Sequence, residues 1–250
     1  IGGPSGYTCI EFTTISAWLT HYLGTDLRRP LMPADWLAFP QQKLRTITSG
    51  GIFHDALNLQ ALRASLAWFP PDLWLYLLAC GWQRISQEEH LMGRAGFVGD
   101  ELGSSLIAAR LVRDVMRLGF LMESVYAPYP KWFGTAFSRL DCAQALTPLL
   151  AQTLSTGAWQ ERQRCLAAAY QLLAAQHNRL GLTEPLDTQP RPFYDRPFLV
   201  IEAGRFVQAL NARISDPAVQ DLAASRPEGS ADQFSDSTDF LNHPQLWKIA

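Results

Sequence analysis

Long apolar runs are missing from this sequence. Nothing in it approaches the roughly 18 consecutive apolar residues that a bilayer span requires, and no charged start followed by an apolar segment reads as a signal peptide. A soluble, cytoplasmic protein with no membrane partner is expected. An excess of one charge is also missing. The 21 Lys and Arg against 23 Asp and Glu give a formal charge of -2, which leaves no field to hold an extended nucleic acid by electrostatics alone. Cysteine is scarce: Cys9, Cys80, Cys142 and Cys165 lie far apart and form no C-x-x-C. That spacing points to reduced thiols, without a zinc site or a dense disulfide framework. Serine nucleophile elbows, H-E-x-x-H helices, Rossmann glycine fingerprints and internal repeats are absent as well.

What is there builds a core. Of 250 residues 48% are apolar and 18% charged, the balance of a globular chain. Residues 7–14 read as one short strand after a glycine-rich start, and "ISAWLTHYLG" reads as a helix stopped by Gly24. Prolines 30, 33 and 40 break the next stretch, in which "PADWLAFPQQKLRTI" is the most helical piece. Helices are expected over 55–68, over "DLWLYLLACGWQRISQEEH", over 100–126, over 134–145, from Thr147-Pro148, and over 159–180 closed by Gly181. A proline-rich link over 183–197 precedes two more helices, near 201–214 and after Asp216-Pro217. The tail over 226–243 is polar and not obviously core.

Charge is concentrated in one region. Between Arg84 and Arg117 stand five cations and five acids, Arg84, Arg94, Arg110, Arg113 and Arg117 with Glu88, Glu89, Asp100, Glu101 and Asp114, a self-neutralising set. On the long helix, Arg110, Arg113, Asp114 and Arg117 share one face of a rod that is otherwise largely apolar. Such a stripe faces either a polar cleft or a thin strip of solvent with intrahelical ion pairs. In the cleft reading Glu88 or Glu89 serves as general base and the arginines hold phosphate or carboxylate groups; in the plain reading Arg84 and Glu88 are an i,i+4 pair. The four glycines of "GRAGFVGDELGSS" lack the Gly-Lys-Ser/Thr ending of a phosphate loop, and a turn capped by Asp100 explains them more simply.

The segment "ESVYAPYPKWFGTAF", 123–137, packs five aromatic residues around two prolines and one cation, Lys131. Tyr126, Tyr129 and Trp132 either offer a stacking platform for a ring-bearing ligand or plug the bundle while Lys131 reaches water. His177, on an apolar stripe, is either a ligand contact or a satisfied core histidine.

The run "QEEHLMGRAGFVGDELGSSLIAARLVRDVMRLGFLMESVYAPYPKWFGTAF" resembles the core signature of the family called domain of unknown function four-zero-three-seven, with echoes in "DWLAFPQQKL", "TSGGIFHD", "AAQHNRLGLT", "RPFLVIEAGRF" and "DQFSDSTDF". The resemblance implies a bacterial protein and a mainly α fold, a helical bundle with a short N-terminal strand left from an α+β nucleotidyltransferase-like domain. It places a remnant or link at 1–55, a substrate-binding bundle at 56–225 and a polar tail with a short helix at 226–250. From the charge network, the bend and the histidine stripe, a small-molecule acceptor or nucleotide is expected to be held by Arg94, Arg110, Arg113, Asp114, Arg117, Tyr129, Lys131, Trp132 and His177, with Glu88 and Glu89 as catalytic candidates. Transfer in that superfamily needs magnesium held by paired carboxylates. Ile1-Gly2-Gly3 imitates its turn, but no Asp-x-Asp follows and Glu11 supplies at most a third carboxylate, so a fragment lacking the metal site is expected. The competing expectation is a non-catalytic helical module for a ligand or protein.

Overall fold

Ile15–Leu23 form α1 because the Thr14 hydroxyl accepts the Ala17 amide at 3.1 Å and Gly24, at φ 74°, takes the left-handed turn that ends it. The computed structural model describes residues 12–243 apart from 26, 28 and 227, and the chain is mainly helical there. Most of the strand expected over 7–14 lies outside the described residues, and 12–14 form no strand. The helix-like piece after Pro33 is two helices, α2 (Pro33–Ala38) and α3 (Gln41–Thr48), separated at Pro40. The next helix, α4, covers only Leu59–Ser65, because the Asp55 carboxylate takes the amides of Leu59 and Gln60 and fixes the start four residues later than periodicity suggests.

α5 (Pro71–Glu88) and α7 (Glu101–Met122) pack on each other, with α6 (Leu91–Phe97) between them in sequence. Asp100 caps α7 through the Gly103 amide at 2.7 Å. The far end of α7 departs from expectation: it stops at Met122, not Tyr126. Ser124 is left-handed at φ 54°, with Val125 N–H bonded to Phe120 O at 3.0 Å and Ser124 N–H to Leu121 O at 3.3 Å. This is a Schellman closure built without glycine, and it releases the chain before the prolines are reached.

Past a 3-10 turn at Pro130–Trp132, the helix expected over 134–145 divides into α8 (Phe133–Phe137) and α9 (Ala143–Ser155). Pro148 does not open a helix but lies inside α9. Its ring removes one backbone donor, and packing of buried Leu146 and Leu150 with α10 (Trp159–Arg179) offsets that loss. The proline-rich link holds a hairpin, β1 (Arg191–Phe193) and β2 (Arg196–Val200), paired antiparallel, with Phe198 and Val200 buried. Proline is compatible with edges of so small a sheet, so proline content alone misled. α11 (Gly204–Asn211) and α12 (Pro217–Ser225) follow.

The polar tail is part of the fold. α13 (Ala231–Phe234) and α14 (Thr238–Asn242) bury Ser230, Ala231, Asp232, Gln233 and Leu241, and Gln233 donates to Leu77 O at 2.9 Å. One apolar cluster runs from Leu19 through Trp36, Leu77 and Leu118 to Val219, crossing the boundary expected near residue 55. Trp82 anchors its middle, stacked on Phe206 at 4.3 Å.

Packing is tight where α6 meets α10. A Cβ on Gly96 would lie 2.2 Å from the Trp159 side chain, whereas one on Gly134 meets nothing within 4 Å among the described residues. Gly96→Ala is expected to lower stability by about 1–3 kcal/mol through overpacking, and Gly134→Ala to leave it unchanged or raise it by up to about 1 kcal/mol. Urea midpoints of the two variants check the contrast; equal midpoints would refute it.

Candidate functional site

The aromatic bend divides its labour. Tyr126 is buried, donates to Leu66 O at 3.0 Å and packs on Trp68 and Phe69 at 4.8 and 5.3 Å between ring centres. Tyr129 and Trp132 instead remain 40% and 54% exposed, and both line a cavity of about 910 Å³. Tyr126 thus plugs the bundle, while Tyr129 and Trp132 stay open to solvent.

α1 contributes His21 and Tyr22 to that cavity, α3 contributes Lys43 and Arg45, and Asn242 and His243 close it. Lys43 is 6% exposed, and its ammonium donates to Tyr22 O at 2.7 Å and Asn242 O at 3.0 Å while lying 4.7 Å from the Tyr22 ring centre. An ammonium carries three donors, so among the described residues these two carbonyls leave one N–H without an oxygen acceptor. Burial pulls the Lys43 pKa down. Arg45 donates to Tyr126 O at 2.7 Å, which ties the cation to the bend. Among the described residues that line it, no Asp or Glu is present.

A second cavity, of about 240 Å³, shares Gln42 and Pro128 with the first. Arg113 and Arg117 of α7 line it together with Asp232 and Asp236 of the tail. Asp236 pairs with Arg113 and lies 3.5 Å from Arg117. Asp232 accepts the Gln41 amide at 2.9 Å, and burial pushes its carboxyl up against the downward pull of Arg117.

The remaining charges pair across helices rather than along them. Arg110 holds Glu88 and Arg84 lies 3.6 Å from Asp114, so the i,i+4 pair Arg84–Glu88 is replaced by two bridges from α5 to α7. Asp114 is buried, which raises its pKa although Arg84, Arg113 and Arg117 pull it down.

Several expected site residues stand apart from the two cavities. Glu89 is buried and accepts the amides of Ile201 at 2.7 Å and Ala203 at 3.0 Å; its oxygens are spent on the chain ahead of α11, a structural task in place of the expected general base. Burial raises its pKa to about 7. Arg94 is exposed on α6, near His90, whose pKa it helps to lower after burial. Lys131 is exposed, 4.8 Å from the Trp132 ring centre, and does not line either cavity.

His177 is fully buried. Its Nδ1 accepts from Trp82 Nε1 at 3.3 Å, and its Nε2 is 3.1 Å from Thr183 Oγ1, whose own proton goes to Glu184 O at 3.0 Å. These partners fix the neutral Nε2–H tautomer, and burial lowers the pKa to about 4. The histidine is a satisfied core residue.

Sequence reasoning missed His21, Tyr22, Lys43 and Arg45. Their only signal was the pair of cations two apart in "QQKLRT", which spacing alone does not distinguish from a solvated face. Glu11 and Ile1-Gly2-Gly3 lie outside the described residues. Magnesium does not fit what is described: among these residues no group of three or more His, Cys, Asp or Glu side chains could hold a metal ion, and Asp232 and Asp236 are engaged by an amide and by arginines. Cys80, Cys142 and Cys165 form no disulfide, and among the described residues no helix is long and apolar enough to cross a membrane.

Fold and site together define a mainly helical protein with two neighbouring cavities, lined by charged and aromatic side chains, beside an aromatic bend. Residues 36–133 match the family model described as Domain of unknown function (DUF4037), the family the sequence resembles. The echoes after residue 133 lie beyond the matched segment. No curated protein and no solved structure matches the chain.

Two buried groups give opposite pH slopes. Glu89 binds its proton more tightly folded than unfolded, so its contribution is lost as pH rises from about 4.5 to about 7. His177 binds its proton less tightly folded, so stability falls as pH drops from about 6.5 to about 4. Glu89→Gln should flatten the first slope and His177→Gln the second in urea titrations across pH; unchanged slopes would refute the assignment.

Proposed function

We propose that the chain is a substrate-binding module of a nucleotidyltransferase-like protein, and that its larger cavity takes a small anionic molecule bearing an aromatic ring, of which a nucleotide is the type case. One observation carries this reading: the 910 Å³ cavity joins Lys43 and Arg45, two histidines and two exposed rings, with no carboxylate among its described lining residues. In a chain of net charge -2, such a local reversal of sign favours an anion, and partly exposed Tyr129 and Trp132 favour a flat ring. The spare ammonium N–H of Lys43 is a natural donor to a phosphate oxygen.

Nucleotidyl transfer itself would need magnesium and carboxylates that the described residues do not supply, so binding alone is proposed for them. A second reading, a non-catalytic helical module for a ligand or protein, is favoured by the internal pairing of Arg84, Arg110, Arg113 and Arg117. A cytoplasmic setting accords with the three unbridged cysteines.

Calorimetric titration with adenosine monophosphate and with ribose 5-phosphate tests the proposal. The nucleotide is expected to bind at least tenfold more tightly than the sugar phosphate, roughly the effect of one stacked base. Trp132→Ala with Tyr129→Ala should erase that difference without lowering the thermal midpoint of the ligand-free protein. Equal weak binding of both probes would refute the ring-binding role.

A further inference from the structure

We infer that Arg113 and Arg117 form a second anion subsite whose resting occupant is Asp236, so that the ligand class is a ring-bearing molecule with a chain of two or more linked anionic groups, such as a nucleoside polyphosphate. The ring-bearing part of this inference rests on the reading of the larger cavity; the arginine subsite stands on its own observations.

The two cavities are neighbours, with Gln42 and Pro128 lining both, which sets the arginines beside the space that Tyr129 and Trp132 face. Those arginines are incompletely used. Their Nη groups engage Asp236, but among the described residues the buried Nε atoms of both Arg113 and Arg117 have no hydrogen-bond partner. Each guanidinium therefore retains a buried donor that a single carboxylate does not reach, whereas a tetrahedral anion with several oxygens can accept more of these bonds at once.

The present occupant is the solvent-facing partner. Asp236 is 57% exposed while its partners are 32% and 20% exposed, so a dissolved anion can compete with its carboxylate for the two guanidinium groups. It also lies between α13 and α14, outside either helix. Asp232 differs: it is 8% exposed and bonded to the Gln41 amide, so it stays when Asp236 leaves. With Asp236 in place the lining has two cations and two acids; its departure leaves one positive charge uncompensated for the incoming anion. The tail thus presents a carboxylate where a phosphate would sit, and a polyphosphate binds by exchanging with it.

Tripolyphosphate and adenosine monophosphate, titrated separately, test this on wild type and on Asp236→Asn, with Asp236→Ser as a second variant of different packing. The neutral variants are expected to bind tripolyphosphate about tenfold more tightly than wild type, with less than a twofold change for the monophosphate. Adding Arg113→Met and Arg117→Met to Asp236→Asn should remove the gain. A monophosphate that binds alongside a tripolyphosphate affinity insensitive to Asp236, or a gain that survives loss of both arginines, overturns the inference and leaves the larger cavity's reading intact. A gain without any monophosphate binding upholds the subsite and overturns the ring cavity.

Discussion

A charged stripe on a helix that is otherwise wrapped in apolar neighbours is the constraint from which the site follows. α7 buries Leu111, Val115, Leu118 and Met122 on one side and Val112, Phe120 and Leu121 over much of the rest. Asp114, Arg117 and the half-buried Arg113 must find partners on other elements, because an unpaired ion taken out of water costs several kcal/mol, roughly, whereas Arg110 stays exposed and pairs with Glu88 from the surface. α5 supplies Arg84 and Glu88, and the tail supplies Asp236. Neutralisation of the stripe thereby brings a segment some 120 residues distant in sequence onto α7, and this segment forms one wall of both cavities.

The tail is held by more than charge. Gln233 bonds to α5 through Leu77 O, and the amide of Gln41 at the start of α3 bonds to Asp232. α3 in turn carries Lys43, whose ammonium reaches Asn242 O. Elements from the two ends of the chain are thus fastened to each other across the same hollow. A ligand there would meet groups from α1, α3, the bend, α7 and the tail at once.

Periodicity in the sequence disclosed the long helices well, since α5, α7 and α10 follow their apolar stripes, and Gly24, Gly181 and Asp100 mark ends through local backbone chemistry that composition reveals. It failed where tertiary bonds set the boundary. Ser124 assumed a conformation that composition would have assigned to glycine, Asp55 displaced the start of α4, and prolines concealed the hairpin at 191–200. The site was legible in part: Arg113, Arg117, Tyr129 and Trp132 line the cavities. Glu89 and His177 carried the right chemistry in the wrong surroundings, because no pattern announces that backbone amides or an indole will consume a side chain. Lys43 and Arg45 were invisible for the converse reason, since only the packing of α1 against α3 and the tail makes a cation on a short helix part of a hollow.

In the ligand-free protein the arginines of α7 hold the tail across the cavities. Hydrogen exchange of the 250-residue chain, compared with its Arg113→Met and Arg117→Met double variant, tests this most directly. Faster exchange is expected over residues 235–242, with protection of α5 and α10 retained. Unaltered exchange across 235–242, with the two arginines gone, would contradict it.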